Sequence, residues 1–99
     1  MPAYFVVRAV VAEADRRDFD AWYRTEHLPD AVKAFNAQAA WRAWSRSDPS
    51  LHYAFYQFPD VAAAEAVNTS AAIGTLVAEF DRRWGTRVTR TREILDVAS

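Results

Sequence analysis

The stretch AWRAWSRSDPSLHYAFYQF, Ala40 to Phe58, contains two short alternating segments separated by a polar run. The first segment places Trp41, Ala43 and Ser45 on one side and Arg42, Trp44 and Arg46 on the other, as a strand with a period of two residues requires. The run SDPS is typical of a turn, and His52 to Phe58 is predicted to be the partner strand. A β-hairpin is therefore expected at the centre of the chain.

A strand and a helix are predicted before the hairpin. Tyr4 to Val11 is rich in valine and aromatic residues, which favours a buried strand. Asp15 is a candidate N-cap, and apolar residues then recur at the three- and four-residue spacing of an amphipathic helix at Phe19, Trp22 and Tyr23. Leu28 precedes Pro29 and is expected to leave helical geometry, so a break between two helical segments is predicted beside His27.

The same pattern follows the hairpin. Pro59 and Asp60 start an alanine-rich helix that falters at Asn68 and Thr69, and Ser70 is predicted to cap a second helical segment ending at Gly85. Thr86 to Val97 is β-branched enough for a last strand. The order β-α-β-β-α-β predicts an α+β, ferredoxin-like sandwich with a four-stranded antiparallel sheet, in one domain spanning residues 1–99.

One face of such a sheet is left uncovered by helices. This face is expected to carry Arg8, Arg42, Trp44 and Arg46. If the alternation of the third strand points its odd-numbered residues to the same side, the face also carries Tyr53, Phe55 and Gln57. Aromatic side chains beside arginines suit a ligand cavity or the surface of a second subunit.

Composition excludes several classes of function. The formal charge of −1 gives no field for nucleic acid or an anionic membrane, and the absence of cysteine excludes disulfides and thiolate sites. Arg8 interrupts the N-terminal apolar run well short of a membrane span, which predicts a soluble protein, and the absence of cysteine is compatible with the expected cytoplasmic location. The two histidines lack metal-ligand spacing, and two glycines are too few for a phosphate-binding loop or a dinucleotide fingerprint, so neither a metal nor another cofactor is expected. An RNA-recognition motif has the same element order, but LHYAFYQF lacks the glycine and basic residue of that motif.

The segment FDAWYRTEHLP, Phe19 to Pro29, resembles the first helix of EthD-like proteins and related members of the dimeric α/β-barrel superfamily, including polyketide-cyclase-like and antibiotic-biosynthesis-monooxygenase-like small proteins. The resemblance implies a homodimer whose two sheets face each other. Relatives include cofactor-independent cyclases, a lactone isomerase, dehydratases and monooxygenases. Several use a histidine at the end of the first helix, and His27 matches that position.

The leading hypothesis is a small cofactor-independent enzyme that acts on an aromatic or polyketide-like carbonyl compound. His27 would be its general acid or base, because an imidazole can accept and donate a proton near neutral pH. Tyr23 lies one turn before it and completes the candidate catalytic pair. The candidate substrate-binding residues are Trp22, Arg8, Arg42, Trp44, Arg46 and Tyr53.

Two alternatives remain open at this point. His27 either performs proton transfer or caps and packs the helix break. The protein is either an enzyme or a non-catalytic barrel that binds a small hydrophobic molecule or acts in a stress response through its dimer surface.

Overall fold

The computed structural model describes residues 1–98 and confirms the predicted α+β, ferredoxin-like architecture. Four strands, β1 (Ala3–Val11), β2 (Ala39–Trp44), β3 (Leu51–Phe58) and β4 (Val88–Asp96), form one sheet in the order β2-β3-β1-β4. Every neighbouring pair is antiparallel. The two central strands, β3 and β1, are thus separated in sequence by the first helical region and β2.

The helical regions are α1 (Arg16–Trp22), α2 (Leu28–Phe35), α3 (Val61–Asn68) and α4 (Ala71–Trp84). The predicted start of a helix at Asp60 and the predicted cap at Ser70 are both confirmed. The Asp60 carboxylate accepts a hydrogen bond from the Ala63 amide at 2.8 Å, and the Ser70 hydroxyl accepts one from the Ile73 amide at 3.3 Å. Each satisfies an amide that the first helical turn would otherwise leave unpaired.

Of the two other predicted helix ends, the one at Gly85 is confirmed and the one at Asp15 is wrong. Gly85 follows α4 with φ of 53°, a left-handed value that glycine adopts at little cost. Asp15 directly precedes α1, but its side chain caps no amide of that helix. Its carboxylate instead accepts a hydrogen bond from the Arg87 guanidinium at 3.1 Å, so the N-cap prediction for Asp15 is wrong.

The helices cover one face of the sheet, and the core lies between these two layers. Phe19 is fully buried there and its ring packs against six aromatic or imidazole rings, those of Trp22, Tyr23, Trp44, His52, Phe80 and Trp84. The longest helix, α4, buries Ile73, Leu76, Phe80 and Trp84 along one side. Burying a side chain of this size contributes roughly 1.5–3 kcal/mol, so these residues account for much of the attachment of helix to sheet.

The strand register reverses the predicted facing of β2. Arg42 lies opposite Ala54 and Trp44 opposite His52, and both partners are fully buried beneath the helices. Directly opposed residues of an antiparallel pair project from the same face. The placement of Arg42 and Trp44 on the open face is therefore wrong, and Arg46 lies beyond the end of β2 in the exposed turn.

The open face carries Trp41 instead, with 42% of its surface exposed. Its ring stacks on Phe55 at 5.8 Å and meets Tyr4 edge-on at 5.6 Å, and Tyr53 stacks on Phe55 at 6.1 Å. Arg8 lies opposite Tyr53 and thus on this same face. The predicted open-face positions of Arg8, Tyr53 and Phe55 are confirmed, and the four rings form a continuous apolar patch.

No single helix within residues 1–98 has the length and apolar character needed to cross a membrane. The pair Val61–Asn68 and Ala71–Arg87, bent by 56° at the break between them, meets those criteria by length and composition alone.

Candidate functional site

A π-helical turn, Tyr23–His27, joins α1 to α2 without interrupting the helical path. The Leu28 amide donates to the Tyr23 carbonyl five residues earlier, and Leu28 itself is helical with φ of −63° and ψ of −48°. The predicted break at Leu28 is therefore wrong. The wider turn accommodates Pro29, whose ring would clash with the carbonyl four residues back in a regular α-helix.

The π turn aligns side chains that are five residues apart. The His27 imidazole stacks on the Trp22 indole with ring centroids 4.6 Å apart and planes 21° apart. It also meets the Tyr23 ring at 4.8 Å and the Phe80 ring at 5.7 Å. Aromatic rings thus surround His27, which is only 8% exposed.

His27 does not cap the helix. Although it occupies the position before α2, its side chain makes no capping hydrogen bond, and its Nδ1 atom is buried without a hydrogen-bond partner within residues 1–98. Buried polar atoms in native proteins are nearly always paired, so an unpaired ring nitrogen is a candidate contact for a bound molecule. The capping interpretation of His27 is thereby wrong, whereas its role in proton transfer stays a prediction.

His27 lies at the wall of a cleft between the sheet and the helices. The cleft has a volume of about 350 Å³, part of it open to solvent. The lining residues are Phe5, Val7, Tyr23, His27, Phe35, Tyr56, Ile73, Leu76, Val77, Phe80, Arg90 and Arg92.

Burial keeps the cleft imidazole neutral. Loss of solvent around the ring and the nearby positive charge of Arg90 lower the pKa of His27 to about 4, and the negative charge of Asp30 opposes them only in part. At pH 7 this side chain is therefore a proton acceptor rather than a cation.

Two phenols lie at the base of the cleft. The Tyr23 and Tyr56 hydroxyl oxygens are 3.4 Å apart and buried. Burial raises the pKa of Tyr23 to about 12 and raises that of Tyr56 well above its ordinary value. Both phenols are protonated at neutral pH, so the one that accepts the hydrogen bond between them keeps its own O–H to donate to a ligand oxygen.

The second histidine belongs to a separate polar network on the helix side of the sheet. The Asp20 carboxylate of α1 accepts hydrogen bonds from the Arg42 guanidinium at 2.7 Å and the Trp44 indole nitrogen at 2.9 Å. These donors lower the pKa of Asp20. The His52 Nε2 atom is 3.4 Å from the Arg42 Nη1 atom. The ion pair with Asp20 thus explains why the charged Arg42 side chain is stable beneath the helices.

The predicted site residues do not form one group. Of the cleft residues, Tyr23 and His27 were predicted, and Trp22 stacks behind His27 without lining the cleft. Arg42 and Trp44 are engaged by Asp20, and Arg46 is in the exposed turn. Arg8 and Tyr53 project from the opposite face of the sheet. None of the last five contributes to the cleft lining.

Three polar cleft residues were missed by sequence reasoning: Tyr56, Arg90 and Arg92. A signal for the two arginines was present, since Val88, Arg90, Arg92 and Ile94 alternate along β4 and the two apolar members indicate a covered face. Tyr56 shares its parity with Ala54 and Phe58, which are also buried. No group of three His, Asp or Glu side chains able to hold a metal occurs in the part of the chain described.

Solved structures share this fold across nearly the whole chain. An EthD-family protein from Bacillus halodurans matches with a TM-score of 0.77 and 14% identity, over 99% of this chain and 100% of its own. A variant of SnoaB, a cofactor-independent oxygenase from Streptomyces nogalater, matches with a TM-score of 0.67 and 11% identity, over 99% and 94%. An antibiotic biosynthesis monooxygenase matches with a TM-score of 0.65 and 15% identity, over 98% and 99%.

Sequence comparisons add no assignment, because no protein-family model and no curated protein matches the chain. TM-scores of 0.65 to 0.77 establish shared architecture, whereas identities of 11–15% leave the reaction open. The structural matches do confirm the resemblance expected from FDAWYRTEHLP. The chain has the ferredoxin-like α+β fold of the EthD-like and antibiotic-biosynthesis-monooxygenase-like structures.

Proposed function

We propose that the protein is a small cofactor-independent enzyme acting on an aromatic or polyketide-like carbonyl compound, with His27 as the general acid or base. One observation carries the proposal: a neutral, buried imidazole with an unpaired ring nitrogen lies at the wall of a cleft lined by aromatic and aliphatic side chains. Such walls accept an apolar ring system and exclude water from the reacting atoms.

The residues support proton transfer next to a carbonyl group. His27 would take a proton from the carbon beside the substrate carbonyl, and the electron pair would move onto the carbonyl oxygen to give an enolate. Tyr23 would donate a hydrogen bond to that oxygen, since its phenol is protonated and its ring lies against His27. Return of the proton to another atom completes an isomerisation, whereas attack of the enolate on a second carbonyl gives cyclisation.

An enolate forming beside Tyr23 needs further stabilisation. The sequence patterns placed Arg42 and Arg46 among the candidate substrate-binding residues, but neither lines the cleft. Arg90 is better placed, because it lines the cleft and its charge acts on both His27 and Tyr23. We assign the polarising charge to Arg90.

A direct test uses hydrogen–deuterium exchange at the methylene group of phenylacetone, followed by NMR in D₂O. Binding of this ketone in the cleft is established first, from chemical-shift changes of the His27 ring. The wild-type protein is expected to accelerate exchange. The exchange rate catalysed by His27→Gln is expected to be lower by roughly 10²- to 10⁴-fold. Glu26→Gln, a change at an exposed neighbour on the same turn, is the matched control and should exchange at the wild-type rate.

Two results would overturn the proposal. One is wild-type exchange no faster than in buffer while the ketone occupies the cleft, and the other is equal rates for wild type and His27→Gln. Either result favours the alternative function, a non-catalytic protein that binds a small hydrophobic molecule. The aromatic and aliphatic side chains that make up most of the cleft lining are the specific observation that favours this alternative.

We further propose that two copies pair through their open sheet faces. The patch of Tyr4, Trp41, Tyr53 and Phe55 is apolar and continuous, and an exposed aromatic surface of this kind favours contact with a partner. Arg8 shares this face with Glu93 of β4, which lies opposite Val6 and would offer a carboxylate to Arg8 of the second copy. Sedimentation equilibrium at micromolar concentration should give a dimer, and Phe55→Glu should give a folded monomer; a wild-type monomer would refute this pairing.

A further inference from the structure

Two arginines lie at the mouth of the cleft, and one of them has no ion-pair partner within residues 1–98. Arg90 and Arg92 project from the helix side of β4, opposite Ala9 and Val7 of β1, and both line the cleft. No lining residue is an aspartate or a glutamate. With His27 neutral and both phenols protonated, the lining has two positive charges and no negative one.

The two arginines differ in how they are held. The Arg90 guanidinium lies 3.9 Å above the Phe80 ring centre and forms an ion pair with Asp81 at 3.2 Å, so its position is fixed. Arg92 is exposed and makes no ion pair within residues 1–98. Arg92 is thus free to bind an incoming anion through two parallel N–H donors, as a guanidinium does with a carboxylate.

We infer that the cleft takes an apolar or aromatic acid, whose hydrocarbon body enters between the sheet and α4 while its carboxylate is bound by Arg92 at the mouth, beside the fixed charge of Arg90. The reaction of this acid depends on the proposed function. Binding of the acid depends only on the residues of the cleft. The substrate class is a carbonyl compound that also carries a carboxylate.

A bound carboxylate would also act on His27. The positive charge of Arg90 is one of the two causes that hold the pKa of His27 at about 4. A negative charge placed beside Arg90 offsets that influence, so the pKa of His27 is higher with the acid bound than with an uncharged molecule of the same shape. A base with a pKa closer to the working pH is more effective, so the carboxylate of the substrate would strengthen His27 as a base.

Phenylacetate and phenylacetamide test the inference, because they have nearly the same shape and differ in charge. Binding of each is measured by NMR titration at low ionic strength to the wild-type protein, to Arg92→Gln and to Arg17→Gln. Arg17 is exposed on α1 and outside the cleft, so it controls for the loss of one positive charge. The wild type is expected to prefer phenylacetate by roughly 10- to 100-fold, the range of a charge-assisted hydrogen-bond pair.

Arg92→Gln should lose that preference and bind phenylacetamide as before, whereas Arg17→Gln should retain it. The His27 ring should titrate at higher pH with phenylacetate bound than with phenylacetamide bound. Equal affinity for the two compounds, no binding of either, or an unchanged preference in Arg92→Gln would overturn the inference. The outcome is independent of catalysis: a clear preference together with no ketone exchange would leave the acid site standing and refute only the proposed enzyme.

Discussion

Acidification from pH 7 to pH 5 is expected to weaken the fold sharply, through the two histidines. Burial lowers the pKa of both His27 and His52 from 6.5 to about 4, assisted by Arg90 in one case and Arg42 in the other. The unfolded chain exposes both rings and takes up protons near pH 6.5. Between pH 6.5 and 4 the unfolded state therefore binds more protons than the folded state.

The sign of the effect follows from this difference. The stabilising contribution is fully present above pH 6.5, is lost as the pH falls through the window, and changes no further below about pH 4. Each histidine lowers the free energy of unfolding by about 1.4 kcal/mol per pH unit inside the window. At pH 5 the loss is roughly 2 kcal/mol per histidine, or about 4 kcal/mol for both, a large share of the 5–15 kcal/mol that typically stabilises a domain.

Urea unfolding at pH 7, 6 and 5, followed by tryptophan fluorescence at one fixed protein concentration, measures the loss. The chain has four tryptophans and only two histidines, and no other side-chain type ordinarily titrates between pH 5 and 6.5. His27→Gln and His52→Gln should each halve the loss of stability. The double variant should show none of it.

Direct titration of the two imidazole signals by NMR gives an independent check. Midpoints close to 6.5 in the folded protein, or a free energy of unfolding that stays level from pH 7 to pH 5, would refute the argument from burial. A loss that persists undiminished in the double variant would assign it to other groups.

Three further changes probe the packing that holds the cleft. Asp20→Asn should lower the free energy of unfolding by about 1–3 kcal/mol, because it weakens the bonds that tie α1 to β2; Asp18→Asn, on the exposed side of the same helix, is the control and should be nearly neutral in urea unfolding. Phe19→Ala should cost about 3–5 kcal/mol in the same measurement, since the ring is fully buried among other rings, and a cost below 1 kcal/mol would contradict the described core. Ser70→Ala removes the cap of α4 and should cost about 1 kcal/mol, and an unchanged melting temperature would count against that cap.

The periodicity of the sequence was sufficient for the order of elements. Alternation in Tyr4–Val11 and His52–Phe58, helical spacing around Phe19, and the capping residues Asp60 and Ser70 are local features, and each acts through neighbours a few residues away. Such features form the same helix or strand in any fold that buries the apolar side of that element. The β-α-β-β-α-β order and the ferredoxin-like fold followed from them.

The facing of β2 was decided only by the tertiary structure. Alternation defines two faces of a strand but does not say which one the helices cover, and Arg42 and Trp44 appeared suited to the open side. Asp20, which lies 22 residues before Arg42 in the sequence, accepts hydrogen bonds from both and makes the covered side favourable. A buried guanidinium is stable only where such a partner exists.

The cleft depends on the same kind of long-range contact. The sequence singled out His27 and Tyr23 because they lie together on one helical segment, but the residues that complete the site come from strands far along the chain. Tyr56 comes from β3, and Arg90 and Arg92 from β4. Their convergence depends on strand register and helix packing, which bring together side chains more than 30 residues apart in the sequence. The sequence alone therefore determined the fold and the candidate base, and the packing of helices on the sheet determined the charge and the walls of its cleft.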